Sequence, residues 1–338
     1  MTERVQGVPS GAATLLCVDS GTTNTRAWLV AGDRILARRE AARGARDSAR
    51  DGHDRALRGA LRDLIAGLRA TCDGHDVLPP RHIAAAGMVT SAQGLVEVPH
   101  VLAPAGIREL AAGARETLLP DVADLPFVFV PGVRTAAIAG AAPGIGATDV
   151  MRGEETLCIG LLGQGRLAPG GALLSVGSHW KLIRIDEAGR IAWSLTSLAG
   201  EMIQAARGQT ILASAVPGGP LTEPDLPQLL EGMEEARRSG LARALFCVRL
   251  LELSGAATPE GRLSFLVGAF IGADLDRLRA SGALAPGAPV TVAGDEKVGG
   301  GWGLALDRFG CPARSLTAAE VEAGSIAGLG TILAARAG

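Results

Sequence analysis

The apolar positions of this chain follow two periodicities, and the changes between them mark out its elements. Residues 15–18 form a short apolar run, the small and polar residues 19–24 interrupt it, and residues 25–30 resume it. That pattern predicts strand, tight turn, strand. Gly32-Asp33 then breaks the pattern before residues 34–37, a third antiparallel strand. Leu57, Leu61, Leu64, Ile65 and Leu68 recur at helical spacing among Arg and Asp, which predicts an amphipathic helix packed on the sheet. Residues 83–86 and 127–130 predict further strands, the first leading into Gly87 and the second ending at Pro131-Gly132.

The second half repeats the opening theme. Residues 172–176, a turn at Gly177-Ser178-His179 and residues 180–185 again read as strand, turn, strand, followed by residues 191–195. From 198 to 280 the periodicity is mainly helical. Residues 289–294 predict a strand that runs into a Gly-rich turn at Gly299-Gly300-Gly301, and a last helix lies around 326–335. Two strand-turn-strand units half a chain apart point to a duplicated α/β architecture; a tandem Rossmann fold would separate such strands by helical crossovers. The 338 residues suffice for two domains, expected at 12–149 and 150–338. The Gly-, Ala- and Pro-rich stretch 132–149 is the crossing, and the last helix is a candidate to return to the first domain.

Charge and cysteine content narrow the function classes. With 33 basic and 35 acidic residues the net charge is −2, so no broad field collects nucleic acid or an anionic membrane. The five cysteines are odd in number, widely spaced and never C-x-x-C, which argues against a disulfide framework or zinc site and fits a reducing cytoplasm. The N-terminus lacks a signal-peptide h-region, and no run is read as approaching the ~18 apolar residues of a membrane span. Neither a P-loop signature nor G-x-G-x-x-G after a strand is present.

The candidate chemistry sits at the turns. In Asp19-Ser20-Gly21-Thr22-Thr23-Asn24-Thr25-Arg26, Gly21 permits close backbone approach while Thr22, Thr23 and Asn24 supply short donors beside an acid. Such a bend is either an ordinary hairpin turn or a phosphate cradle in which Asp19 holds a Mg²⁺-bound water. The companion turn at Gly177 and Ser178, with His179 and Lys181, favours the cradle, because two facing turns grip a phosphate chain from both sides. The chain has two lysines, Lys181 and Lys297, and both are placed in Gly-rich turns. Between the cradles lies Met151-Arg152-Gly153-Glu154-Glu155-Thr156 at an expected helix start. Its acids either complement the helix dipole or supply the carboxylate that accepts the acceptor's proton.

These strings, together with Gly200-Glu201, occur in the order and spacing of 2-dehydro-3-deoxygalactonokinases, which the chain resembles over nearly its whole length. The resemblance implies a duplicated actin-like ATPase (ribonuclease H-like) fold of the actin, hexokinase and Hsp70 superfamily. It also implies ATP and Mg²⁺ in a cleft between two domains, and phosphoryl transfer to the 6-hydroxyl of 2-dehydro-3-deoxy-D-galactonate. By position Glu154 is the expected base. Gly294, Gly299 and Gly300 are expected at the adenosine, and Arg26, Arg152, His179, Lys181 and Glu155 around the sugar acid. Ser20, Thr90, Ala92 and Leu95 depart from the family pattern near the sugar pocket. A kinase of another sugar acid or polyol is the alternative within the fold, and an ATPase or nucleotide-binding regulator is the alternative outside it. The expected partner is a small-molecule sugar acid, with no nucleic acid and no membrane; a homodimer is admitted.

Overall fold

The computed structural model describes residues 11–72, 76–138, 144–219 and 223–337. The first half holds β1 (Ala12–Ser20), β2 (Thr25–Ala31), β3 (Arg34–Ala41), α1 (Ala45–Asp51), α2 (Arg55–Cys72), β4 (Val77–Leu78) and β5 (Ile83–Gly87). It continues with β6 (Val101–Leu102), α3 (Ile107–Gly113), β7 (Arg115–Leu118), β8 (Pro126–Phe129), β9 (Val133–Thr135) and β10 (Asp149–Met151). The second half holds α4 (Glu154–Gly163), β11 (Ala172–Val176), β12 (Trp180–Ile185), β13 (Ile191–Ser197), α5 (Ala199–Gln209), α6 (Leu226–Ser239), α7 (Leu241–Ser254) and α8 (Pro259–Ala280). It ends with β14 (Val290–Gly294), α9 (Glu296–Phe309), β15 (Ala313–Ser315) and α10 (Ala318–Ala337).

The duplication is visible in the strand order. The first large sheet runs β3-β2-β1-β5-β8-β7, with β4 also on β1, and the second runs β13-β12-β11-β14-β15. In both, an antiparallel three-strand meander is extended by two strands parallel to its first member. A smaller sheet, β10-β9-β6, lies between them in sequence, so the expected crossing at 132–149 begins in one of its strands and ends in another. Residues 139–143 of that stretch lie outside the described residues.

Helices cover the sheets where the apolar pattern requires. The four leucines and one isoleucine of α2 are all buried, packed with Leu16, Val18, Leu29, Phe127 and Phe129 on one face of the first sheet. The other face shares a core with the second sheet: Cys17, Trp28 and Ala84 from the first and Leu173, Ile183 and Ala293 from the second enclose α4 and α10. These two helices cross closely because glycines line the contact; a Cβ at Gly160 would overlap the Gly324 carbonyl. By length and composition α10 could cross a membrane, contrary to the reading of the bare sequence. Its Gly324, Ile326, Gly328, Leu329 and Ile332 are nevertheless buried, and it packs on α4 and α3.

One predicted turn is absent. Gly299, Gly300 and Gly301 lie inside α9. Asp295 caps that helix directly after β14, its carboxylate accepting from the backbone N–H of Lys297 and Val298 at 3.0 Å each. Gly301 is absorbed into the helix because a Cβ there would stand 2.9 Å from Leu229 and 3.0 Å from Ile271.

Candidate active site

Each half presents one turn at the end of its first central strand. Register equates the two: Ser20 lies beside Gly87 on β5, and Val176 beside Gly294 on β14. The first turn, residues 21–24, closes with Gly21 N–H donating to Asn24 O at 2.8 Å, and the second, residues 177–179, with Gly177 N–H donating to His179 O at 3.3 Å. Each is clamped by a helix N-terminus. Ala45 and Arg46 on α1 donate to the carbonyls of Gly21 and Thr22 at 3.2 and 2.9 Å, and Glu201 on α5 donates to Ser178 O at 2.8 Å. Glycine is required at both clamps: a Cβ on Gly44 would stand 2.6 Å from the Gly21 and Thr22 backbone, and one on Gly200 would overlap the Gly177 carbonyl.

The clamps face each other across a cleft of about 590 Å³ lined by Thr23 and Arg46 on one side and by Gly177, Ser178, Glu201, Arg207 and Asp295 among those on the other. Arg46 Nη2 lies 3.4 Å from Glu201 Oε1, and His179 Nε2 lies 3.5 Å from the same oxygen. His179 thus faces the clamp. Gly294, Gly299 and Gly300 line an adjoining space of about 240 Å³ that shares Asp295 with the cleft.

The acidic turn sits against Asp19, at the end of the strand before the first turn, and against Lys181, on the strand that leaves the second. Gly153, with φ 110°, caps α4 in a conformation that a side chain would strain. A Cβ on it would lie 3.7 Å from Asp19 Oδ1. Glu155 is fully buried, and both its oxygens accept from Gly153 N–H at 2.8 Å. Burial pushes its carboxyl up to about 8, with Glu154 adding to the rise. Glu155 is therefore a helix-start residue without access to an acceptor. Glu154 Oε1 pairs with Lys181 Nζ at 3.3 Å, whereas its Oε2 is buried with no hydrogen-bond partner. Burial pushes Asp19 up to about 6, Arg26 opposing the shift and Glu154 adding to it.

The cations divide into engaged and free. Lys181 is on strand β12, not in the turn, and is 4% exposed; its Nζ also donates to Val150 O at 3.1 Å. Lys297 is in the first turn of α9 and pairs with Glu223. Arg152 donates to Thr90 Oγ1 at 2.7 Å and Val98 O at 2.8 Å, with His100 Nδ1 at 3.4 Å, so its guanidinium ties the 88–100 segment to the acidic turn. Arg26 is exposed on β2 as the cross-strand partner of Asp19. Ser20 is buried, and because Thr25 Oγ1 gives its proton to Arg43 O, Ser20 Oγ donates to Thr25 at 2.8 Å.

Reading the sequence missed Gly44, Arg46 and His100. Burial holds His100 down to about 4, and Arg152, Arg134 and Lys181 add to the effect; its Nε2 is buried without a partner. At Gly44 the Asp47 carboxylate, three positions on in α1, accepts from the Gly44 N–H at 3.0 Å and holds the helix start.

Two sheets of one topology, each offering a clamped turn to a shared cleft, define the actin-like ATPase fold. The chain belongs to the 2-keto-3-deoxy-galactonokinase family, whose profile matches residues 19–332. It is 27% identical over 276 residues to the 2-dehydro-3-deoxygalactonokinase of Escherichia coli (strain K12), covering 79% of this chain and 81% of that protein. A crystal structure from Sinorhizobium meliloti, provisionally assigned as a 2-dehydro-3-deoxygalactonokinase, superposes with a TM-score of 0.72 at 25% identity, covering 94% of this chain and 97% of the other. The Clostridium difficile activator of 2-hydroxyisocaproyl-CoA dehydratase, solved with bound ADPNP, shares the fold with a TM-score of 0.50 at 10% identity, covering 96% of each chain. The protein is accordingly a phosphotransferase, and kinases of this kind use ATP.

Proposed function

We propose that this kinase transfers the γ-phosphoryl group of ATP to the 6-hydroxyl of 2-dehydro-3-deoxy-D-galactonate, with Glu154 as base. The observation that carries this reading is Glu154 Oε2, a buried carboxylate oxygen without a partner, on the helix start that lies against Asp19 and beside the strand leaving the second turn. The acceptor O–H bond breaks and its proton passes to Glu154. The oxygen forms a bond to the γ-phosphorus as the bond from phosphorus to the β–γ bridging oxygen breaks, and ADP leaves with that electron pair. Backbone N–H groups and hydroxyls of the two turns, with Thr22, Thr23, Asn24 and Ser178, orient the phosphates. Glycines 294, 299 and 300 admit the adenosine.

Among the described residues no three His, Cys, Asp or Glu side chains converge as a metal cage. A single carboxylate, Asp19, stands at the first turn, and such a site suits Mg²⁺ held through water. When bound, the ion would neutralise phosphate charge. Arg26, exposed beside Asp19, is the cation best placed to meet the acceptor's carboxylate. We take the two domains as 12–149 and 150–338, with α10 packed back on α3, β1 and β5 of the first. Buried thiols at Cys17, Cys158 and Cys311 support a reducing, cytoplasmic setting.

The test is ADP release from ATP with a panel of 2-keto-3-deoxy sugar acids, other sugar acids and neutral polyols. The galactonate derivative should give the highest kcat/KM. A faster neutral polyol would overturn the substrate assignment, and ADP release indifferent to every acceptor would favour the ATPase reading.

A further inference from the structure

The two halves differ at the register position just before the last pair of each hairpin. On the first meander Asp19 is the cross-strand partner of Arg26; at the matching position of the second, Ser175 is the partner of Lys181. The second half therefore keeps the cation and lacks its acid. We propose that Lys181 is a positioning residue for Glu154, not a contact for the acceptor, and that it ties Oε1 so that Oε2 stays free to take a proton.

Several observations support that role, which rests on Glu154 being the base. The Lys181 side chain is 5% exposed, too enclosed to meet a carboxylate in the cleft. Its Nζ bridges Val150 O on β10 and Glu154 Oε1 on α4, so one ammonium fixes both segments that flank Gly153. Asp19 from β1 and Glu155 and Cys158 from α4 also stand within electrostatic reach of Glu154. Glu155, pushed up to about 8, retains its proton at neutral pH. The lysine's charge is thereby matched by the one carboxylate it touches.

Lys181→Met and Lys181→Arg, alone and with Glu154→Gln, test this. Lys181→Met should lower kcat about 100-fold, leave the KM for ATP within about threefold, and move the acid limb of the kcat/KM profile up by about one pH unit. Lys181→Arg should recover at least about tenfold of that loss. In the Glu154→Gln background, Lys181→Met should cost less than about threefold more, since both changes remove one function. A raised acceptor KM with kcat intact, or additive losses, would overturn the proposal. An acceptor-independent arm separates this idea from the substrate reading: ¹³C NMR of the glutamate carboxyls, with Glu154→Gln for assignment. The Glu154 signal should titrate at higher pH in Lys181→Met. An unmoved titration sinks the positioning role whatever the substrate, and a moved one sustains it even where no sugar acid is phosphorylated. Melting curves confirm that the variants fold; if Lys181→Met does not, Lys181→Gln carries the same comparison.

Discussion

The two clamped turns have similar backbones and different surroundings. Each follows the first strand of a meander, each is clamped by a helix N-terminus, and each clamp depends on a glycine pressed against turn carbonyls. Around the first turn, Asp19 and Arg26 face each other across the hairpin. Around the second, Lys181 is buried and turned towards Glu154. The duplicated part is what any phosphate chain requires: donors, close approach and a rigid frame. On the proposed reading, the part that diverged sets direction, giving one half the acid that would face the metal and the other the base. Binding and chemistry should accordingly be separable by mutation.

The largest effect breaks the asymmetric part. Glu154→Gln should lower turnover by about 100- to 10,000-fold while isothermal titration finds ATP affinity nearly unchanged, because a lost general base removes an interaction made in the transition state. Loss of ATP binding on the same scale would make Glu154 part of the cradle.

Next come the clamps, the symmetric part. Gly200→Ala drives a methyl into the Gly177 carbonyl, and Gly44→Ala places one 2.6 Å from the Gly21 and Thr22 backbone. Overpacking of this kind costs about 1–3 kcal/mol. Both variants should raise the KM for ATP more than they lower kcat, Gly200→Ala the more strongly. If only one clamp matters to ATP, the two turns do not share the phosphates.

Glu155, at the start of α4 in the second half, is fully buried. Its carboxyl rises from an ordinary value of 4.5 to about 8 in the folded protein. The native state thus keeps a proton that the unfolded chain releases, so stability is fully present below about pH 4.5 and is lost as pH rises through about 8. Glu155→Gln should flatten that loss: relative to the parent it gains about 1–3 kcal/mol at pH 8.5 over its standing at pH 4.5, read from urea melts. Turnover should fall less than about tenfold, against the much larger loss from Glu154→Gln.

Much of this was legible in the chain itself. The four leucines and one isoleucine of α2, the two hairpins and the helix start at Glu154 follow from periodicity and small polar residues, which act locally. The side-chain pairings were not. Lys181 reads as a turn residue because its strand begins only one position earlier, and its partner Glu154 is supplied from a different element. Arg152 reads as an acceptor contact, yet Thr90 and the Val98 carbonyl, more than fifty positions away, engage it. Gly299, Gly300 and Gly301 of α9 look like a loop because glycine is a poor helix former; the helix forms there since Asp295 caps it and neighbouring helices leave no space for larger residues at Gly301.

The smallest expected effect concerns the contact that joins the clamps. Arg46 and Glu201 each follow a clamping glycine, at Gly44 and Gly200, and they meet across the cleft at 3.4 Å. Their side chains are 57% and 38% exposed, so solvent screens the pair and it is worth less than about 1 kcal/mol. Its consequence is geometric, because it favours arrangements in which the two turns face each other. Arg46→Ala should leave the melting temperature within about two degrees of the parent. The KM for ATP should rise by less than about fivefold, and that difference should vanish at high salt, where the parent loses the same attraction. A difference that survives 1 M salt would mean that Arg46 touches the nucleotide through packing or hydrogen bonds that screening does not reach. The first clamp would then carry chemistry of its own, and the division between a shared frame and a one-sided catalytic half would have to be redrawn.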